Sequence, residues 1–481
     1  MHWRAISRLF GILLVLYSVS FLPSAAVSLW YADGQAHDFV FAALASVATG
    51  LLLWLPNLRE HSELSVREGF LIVTLFWVVL GLYSAIPFII GVHLDLTDAL
   101  FESISGFTTT GATVISGLDR LPPSLLYHRQ QIQWLGGMGI IVLAVAILPM
   151  LGVGGMQLYR AEASSVSKQD KLTPRIAETA RLLWFIYFML TVLCAAAYWA
   201  AGMTLFDAIC HAFTTIATGG FSTHDASMAY FDSPVIELIA IVFMLAGGVN
   251  FAVHFMAWRR LSMQPYVDDA EANAYILIFV VALVLVAVGL YFAGADRGAF
   301  ESLRLSAFQV ASVLTSTGYG TDVFALWPLG IPFLLVLLSF TGGCAGSTAG
   351  GVKVLRILVL ARLGVRQLFK LVHPRAVAVL KVGRATVSRE VLNSVLGYYV
   401  LYVVTSLALV LANMMAGLDL ESALGAVVAT VNLLGPGLGE VATSFASVND
   451  TVKWLGIFGM LAGRLEVFTL LILFLPAYWR N

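Results

Sequence analysis

The chain has 481 residues, 59% of them hydrophobic and only 11% charged, with 27 basic and 28 acidic side chains and a formal net charge of -1. That is too little polar surface to cover a water-soluble globule of this size, so an integral membrane protein in contact with the lipid bilayer is expected. The near-neutral balance speaks against a nucleic-acid partner. The apolar stretches are continuous over about 20 residues, the length that crosses a hydrocarbon core, which predicts an all-α polytopic bundle and not a membrane barrel. Three cysteines, Cys194, Cys210 and Cys344, offer neither a disulfide framework nor a metal spacing. They read as small apolar residues in packed helices.

The chain opens with basic residues, Arg4 and Arg8, followed by an apolar run in which Ser24-Ala25-Ala26 would pass as a signal-peptide cleavage site. The length of the run favours a retained helix. Helices are expected at 9–31 and 39–55, so that residues 1–60 form two additional N-terminal spans. The remainder divides into four units of about 100 residues, a period that signals repeat architecture. Their bounds are 61–156, 157–260, 261–370 and 371–481. Each reads helix, short re-entrant element, helix. The first helices fall at 68–90, 179–201, 274–293 and 392–416, the second at 133–151, 234–258, 326–363 and 452–479.

Basic residues favour alternate loops: Arg4 and Arg8, Arg59 and Arg67, the 160–181 segment, Arg259 and Arg260, and the 356–389 stretch. By the positive-inside rule these segments, and both termini, are expected in the cytoplasm. Arg120, Arg129, Arg297, Arg304 and Lys453 are then a minority left outside.

Between the two helices of each unit stands an element too short to span. It starts at Asp98-Ala99-Leu100, Asp207-Ala208-Ile209, Ser306-Ala307-Phe308 and Ser422-Ala423-Leu424. Each is followed by a strip: Thr108-Thr109-Thr110-Gly111, Thr218-Gly219-Gly220-Phe221, Thr315-Ser316-Thr317-Gly318-Tyr319-Gly320 and the weaker Asn432-Leu433-Leu434-Gly435-Pro436-Gly437. From Asp or Ser to the strip glycine is 13 residues in units one, two and four, and 12 in unit three. This describes a helix of about 10 residues, some 15 Å long, capped by that Asp or Ser and aiming its partially negative end at the membrane centre.

Non-helical backbone at membrane depth needs protein or a water-filled cavity around it, so the strips are expected to ring one central pore. Backbone carbonyls there can replace the hydration shell of a cation, and glycine admits the torsions required. The candidate ion-binding residues are Thr108, Thr109, Thr110 and Gly111; Thr218, Gly219 and Gly220; Thr315, Ser316, Thr317 and Gly318; and Asn432, Leu433, Leu434 and Gly435. Hydroxyls of Thr108, Thr109, Thr315 or Thr317 are expected at the inner end. The plainer reading is that Thr and Ser only satisfy helix ends.

Two further features lie along the expected path. Gly342, Gly343, Gly346, Ser347, Thr348, Gly350, Gly351 and Lys353 mark a segment too rich in glycine for regular helix, each glycine costing about 1 kcal/mol relative to alanine. An irregular loop inside the membrane, placed to act as a gate, is the expectation; a close-packed kink is the alternative. Arg464 stands in the last apolar helix, where a charge needs a cavity or a partner. It is expected to face the pore as a barrier to cations, not to pair with Glu466, which lies on a different helix face. Glu102 is expected to add negative potential at the outer mouth. Asn250 and His254, four apart on one helix, would line a cavity or bridge helices.

The four units, their strips and the break from Gly342 to Gly351 resemble the Trk/Ktr/HKT superfamily. The two added N-terminal helices and Met460-Leu461-Ala462-Gly463-Arg464-Leu465-Glu466 are most similar to its bacterial potassium-uptake branch. The resemblance implies potassium transport, by channel or symport, across the bacterial inner (cytoplasmic) membrane, with potassium held at the strip residues. It also implies a homodimer in which each protomer has its own pore, and a cytosolic TrkA-like ring that binds nicotinamide and adenine nucleotides. The basic 356–389 stretch is a plausible docking surface for that ring. The glycine-rich loop would be the gate and Arg464 the pore barrier. The chain has no phosphate-binding loop or dinucleotide fingerprint, so no nucleotide is expected on it. The divergent fourth strip puts sharp selectivity in doubt, with rubidium and some sodium expected to pass. A sodium-dependent Ktr-type subunit is the alternative within the superfamily. A membrane enzyme would need an acidic or metal-binding cluster at a membrane face, and the sequence displays none.

Overall fold

The computed structural model describes residues 1–60, 62, 64–142, 176–293, 298–328, 330–376, 378–383 and 385–480. Most of the 160–181 segment, Arg297 and the far part of the helix expected at 133–151 lie outside the described residues. Six described helices are long and apolar enough to cross a membrane, or up to eight if two bent pairs each count as one span. Their outward faces carry exposed Leu16, Leu44, Val242, Leu285 and Leu407, as lipid-facing surfaces require.

The two leading spans are α1 (Trp3–Tyr17) with α2 (Phe21–Tyr31), and α3 (Ala36–Trp54). Four long helices then match the first helices read from the sequence. They are α4 (Val66–Gly91), α7 (Ile176–Ala200), α12 (Ala270–Phe292) and α16 (Arg389–Met415), and each is followed by a shorter one. These shorter helices are α5 (Leu96–Phe107), α8 (Leu205–Ile216), α13 (Ala299–Leu314) and α17 (Leu420–Val431).

The caps correct the sequence reading. Asp98, Asp207 and Ser422 are not N-caps: Asp95, Thr204 and Asp419 are, and each accepts from the backbone N–H three residues on, at 2.7, 3.1 and 3.2 Å. An N-cap side chain reaches the N3 amide, so the residues picked from sequence sit three positions inside. Ser306 lies deeper still, because α13 runs 16 residues while the other three run 12.

The returning helices are less regular than expected. α6 (Pro123–Val142) starts ten residues before position 133. The 234–258 helix is broken into α9 (Pro234–Gly247) and α10 (Phe251–Arg260), bent by 99°. Asn250 is therefore not on one helix face with His254; it caps α10, accepting from Ala252 N at 2.9 Å. His254 bridges the Ala246 carbonyl (2.8 Å) and the Tyr266 hydroxyl (2.7 Å), Tyr266 lying in the short α11 (Gln264–Asp268). The third return is α14 (Ile331–Ser339), an irregular stretch over 340–353, and α15 (Val354–Val372). A two-stranded antiparallel hairpin, β1 (Lys381–Val382) and β2 (Ala385–Thr386), separates α15 from α16. The fourth return also breaks, into α18 (Asp450–Arg464) and α19 (Glu466–Leu471), with a bend of 110° before the closing α20 (Pro476–Trp479).

Packing is cyclic. α6 lies against α8, α9 against α13 and α18 against α5, so returning helices pack on the short helix of a neighbouring unit. Three basic residues that interrupt the charge alternation are spent in pairs here. Arg129 meets Glu102 at 2.7 Å, Arg304 meets Glu237 at 2.7 Å and Lys453 meets Asp98 at 2.5 Å. Glu102 is thus no free charge at a mouth: it is fully buried, and it also accepts from Val114 N at 3.0 Å.

Candidate functional site

Each short helix ends in the same turn. Residues Thr109, Thr218, Ser316 and Leu433 take left-handed torsions, with φ of 53°, 50°, 53° and 59°. The next amide reaches back five residues: Thr110 N to Ser105 O, Gly219 N to Thr214 O, Thr317 N to Ser312 O and Leu434 N to Ala429 O, at 2.8 to 3.0 Å. This is the Schellman arrangement, which glycine usually serves. A Thr, Ser or Leu in that region costs about 1–3 kcal/mol and persists only where the surroundings over-determine it. One residue further on come Gly111, Gly220, Gly318 and Gly435, with φ of 81°, 77°, 81° and 89°. Each stands four residues beyond its helix end, at Phe107, Ile216, Leu314 and Val431 respectively.

The glycines close a ring. A Cβ on Gly111 would overlap the Gly219 carbonyl oxygen; on Gly220, that of Thr317; on Gly318, that of Leu434. On Gly435 it would lie 2.8 Å from the Thr110 oxygen, which returns to the first strip. Strip one touches two, two touches three, three touches four and four touches one. The structure thus brings all four predicted strips together. It also places four helix C-termini, each carrying about half a negative charge, around one axis. Thr108, Thr109, Thr110, Thr218, Thr315, Thr317, Asn432 and Leu434 are fully buried, whereas Gly111, Gly220 and Gly318 keep partial exposure. Access is therefore from the glycine end.

The hydroxyls of the strips have partners within the protein. Thr108 Oγ1 donates to Ile104 O and Thr315 Oγ1 to Ala311 O, both at 2.7 Å, and each also meets the hydroxyl two residues on. They brace the helix ends, as Thr does when its hydroxyl can reach the preceding turn. The Thr109 hydroxyl faces away from the glycine end and accepts from Arg464.

Other supports of the ring carry no strip signature. Gln133 on α6 donates to Gly219 O at 2.7 Å and accepts from Phe221 N at 3.1 Å, gripping the second strip on both sides. Tyr319, wholly buried, donates to His211 O at 3.1 Å and lies 3.2 Å from the Thr215 hydroxyl, pinning strip three to α8. Asn432 turns its side chain away from the axis, to the Tyr402 hydroxyl and, at 2.7 Å, Ser339 Oγ. The polar run His128-Arg129-Gln130-Gln131 with Gln133, at the start of a helix that ends apolar, was the available signal for Gln133. At the glycine end, His224 donates to Asp119 at 2.5 Å and stacks on Tyr230 at 3.4 Å, while Gly117 N donates to Asp225 at 3.0 Å. These contacts join the loops that follow strips one and two.

The far side of the ring is covered. The 340–353 loop, with left-handed Gly342, Gly346 and Gly351, docks on the α9–α10 break through Cys344 N to Gly248 O (2.8 Å) and Phe251 N to Gly346 O (3.1 Å). Gly343 abuts that break too, and Ser347 folds back on Cys344 O at 2.6 Å. Thr348 donates to Ile216 O at 3.0 Å and meets the Thr218 hydroxyl at 3.1 Å. Gly350 N donates to Ser316 Oγ, and a Cβ on Gly350 would overlap Asn432 O. Lys353 donates to Ala349 O. Strip one is covered by Arg464, whose Nε donates to Thr108 O at 2.6 Å and whose Nη1 donates to Thr348 O at 3.0 Å. Among the described residues no carboxylate pairs with this buried guanidinium. Glu466, as expected, does not: it meets Arg356 at 2.6 Å. Arg464 thus ties ring to loop as well as lying beneath the ring, a link that sequence alone did not suggest.

The TrkH family, described as cation transport protein, matches residues 36–481. The Trk system potassium uptake protein TrkH of Salmonella typhimurium is 51% identical, with both chains covered completely. The Trk system potassium uptake protein TrkG of Escherichia coli is 39% identical over 100% of this chain and 99% of its own. The crystal structure of the potassium transporter TrkH from Vibrio parahaemolyticus superposes with a TM-score of 0.93 at 49% identity, covering 100% of each chain. The chain belongs to the TrkH family of cation transport proteins.

Proposed function

We propose that this chain is the membrane subunit of a potassium-uptake system, and that potassium passes along the axis of the strip ring. The observation that carries this reading is the closed order of the four glycines, each against the next strip's carbonyl. Backbone oxygens and converging helix ends there replace water around a cation. The family relationship and the potassium-uptake proteins that match over their full length support the same reading.

In this reading Thr108 to Gly111, Thr218 to Gly220, Thr315 to Gly318 and Asn432 to Gly435 bind the ion. The divisions at 61, 157, 261 and 371 mark four units around the pore, following the two leading spans. The 340–353 loop is the gate. Arg464, a buried positive charge beneath the carbonyls with no carboxylate partner among the described residues, lowers cation occupancy there. The protein lies in the bacterial inner membrane with its glycine end outward and both termini in the cytoplasm. It works as a homodimer with a cytosolic nucleotide-binding ring of the TrkA kind; nucleotide control rests with that ring.

The test is rubidium flux into proteoliposomes containing the full chain. Uptake that potassium blocks more strongly than sodium, and that continues in sodium-free medium, is the expected result. Absence of flux under every regulator and nucleotide condition would overturn the reading; a requirement for sodium would move it to the Ktr-type alternative.

A further inference from the structure

Glu271, the second residue of α12, is buried, and a single one of its oxygens holds both ends of the critical part of the loop. Oε1 accepts from Ala345 N at 2.7 Å and from Leu355 N at 2.9 Å. Leu355 is the second residue of α15, so its N–H is one of the orphan donors of a helix start. Lys353, at the N-cap position, supplies no side-chain cap and sits at a φ of 80°, where a residue other than glycine is strained. The carboxyl group of another helix therefore does the capping. Between the two anchored amides lie Gly346, Thr348 and Gly350, the residues that dock on α10 and touch the strips.

We propose that Glu271 is the latch of the intramembrane loop, a positioning residue that keeps the 345–355 segment seated under the ring and must release it for the path to open. The proposal rests on the loop being the gate. Each of these hydrogen bonds satisfies a backbone amide that would be left without a partner if the acceptor were removed. Losing two of them at the ends of one short segment therefore loosens that segment and leaves the ring untouched. α15 runs from this latch into an exposed second half with Val365, Leu368 and Leu371 on its surface, so a force applied there acts first on the Leu355 to Glu271 bond.

The experiment measures rubidium flux and potassium-to-sodium selectivity of the full chain in proteoliposomes without any regulator. Glu271→Ala is expected to raise basal flux about tenfold, within the usual span of coupling between a switch and its site, with selectivity unchanged. Glu271→Gln keeps length and an acceptor oxygen and should stay near wild type; Glu271→Asp keeps the carboxyl group but falls one methylene short, and should lie between. If the Ala variant does not assemble, the other two decide: Asp above Gln supports the latch, and Asp equal to or below Gln overturns it. Deletion of 346–349 is the control. Raised flux in the deletion with wild-type flux in Glu271→Ala would sink the latch and leave the gate standing. Unraised flux in both would remove the gate reading itself.

Discussion

The strip ring and the loop beneath it are both rich in glycine, and they use it to opposite ends. In the ring, Gly111, Gly220, Gly318 and Gly435 have left-handed φ and give their side-chain space to the main chain of a neighbouring strip, while Gly219 faces the Gln133 side chain. The ring is therefore held by backbone against backbone, with Gln133 and Tyr319 as outside braces. In the loop, glycine makes room for a chain held both by backbone bonds to Gly247, Gly248 and Phe251 and by side chains from elsewhere: Thr218, Ser316, Glu271 and Arg464. A structure fixed by its own backbone resists change as a unit. One held partly by side chains from elsewhere can let go of them one at a time, which is what the proposed gate requires and the proposed filter must avoid.

The largest effect that would break this contrast lies in the ring. Gly318→Ala sets a Cβ against the Leu434 carbonyl at a φ of 81°. Strain of about 1–3 kcal/mol is expected to reduce selectivity on the order of tenfold or abolish uptake, read as rubidium flux competed by sodium. Arg464→Ala should act in the other direction. It removes the covering charge and the link from Thr108 to Thr348, and flux should rise several-fold while selectivity changes little. A loss of selectivity equal to that of Gly318→Ala would erase the distinction between the two regions. Gln133→Ala is a smaller probe, because it leaves Gly219 O and Phe221 N without a partner at a cost of about 1–3 kcal/mol. Weaker discrimination against sodium at unchanged maximal flux is expected, and unchanged discrimination would show that the backbone needs no brace there.

The smallest effect concerns the loops at the glycine end. Burial pulls the His224 pKa down, but the carboxylates of Asp207, 3.5 Å away, and of Asp119, hydrogen-bonded at 2.5 Å, outweigh it and leave it above the ordinary 6.5. The hydrogen bond from His224 holds Asp119 below its ordinary 3.8. The stabilisation from His224 is therefore complete below about pH 6.5 and lost as pH rises through the raised value. That from Asp119 is lost only when pH falls through its lowered one. Thermal melts should show a decline toward alkaline pH worth at most about 1 kcal/mol for so accessible a pair, absent in His224→Phe.

How far the sequence could be read follows from what each feature depends on. The four long first helices were legible because an apolar run of spanning length has one structural outcome. The strip glycines were legible from spacing, although the helix caps were not: an Asp at N3 resembles an Asp at the cap until backbone torsions separate them. The 99° and 110° breaks at Gly248 to Asn250 and at Leu465 were missed, since composition alone does not distinguish a straight apolar helix from one bent around a neighbour. Glu102 looked like a mouth charge because its partner Arg129 stands 27 residues away. Gln133, Tyr319 and Glu271 act through contacts at separations of 74 to 108 residues, which no local pattern announces.

The closed order of the strips carries one more implication. Because all four quarters of the ring lie on one chain, a coding change enters it once, whereas in a ring of identical subunits every change arrives fourfold. Leu433 and Leu434 could replace hydroxyl-bearing residues in one quarter while Thr108 to Thr110 and Thr315 to Thr317 kept theirs. Conduction in such a molecule can be tuned by inheritance in single doses, each quarter drifting on its own within the limits set by its two neighbours.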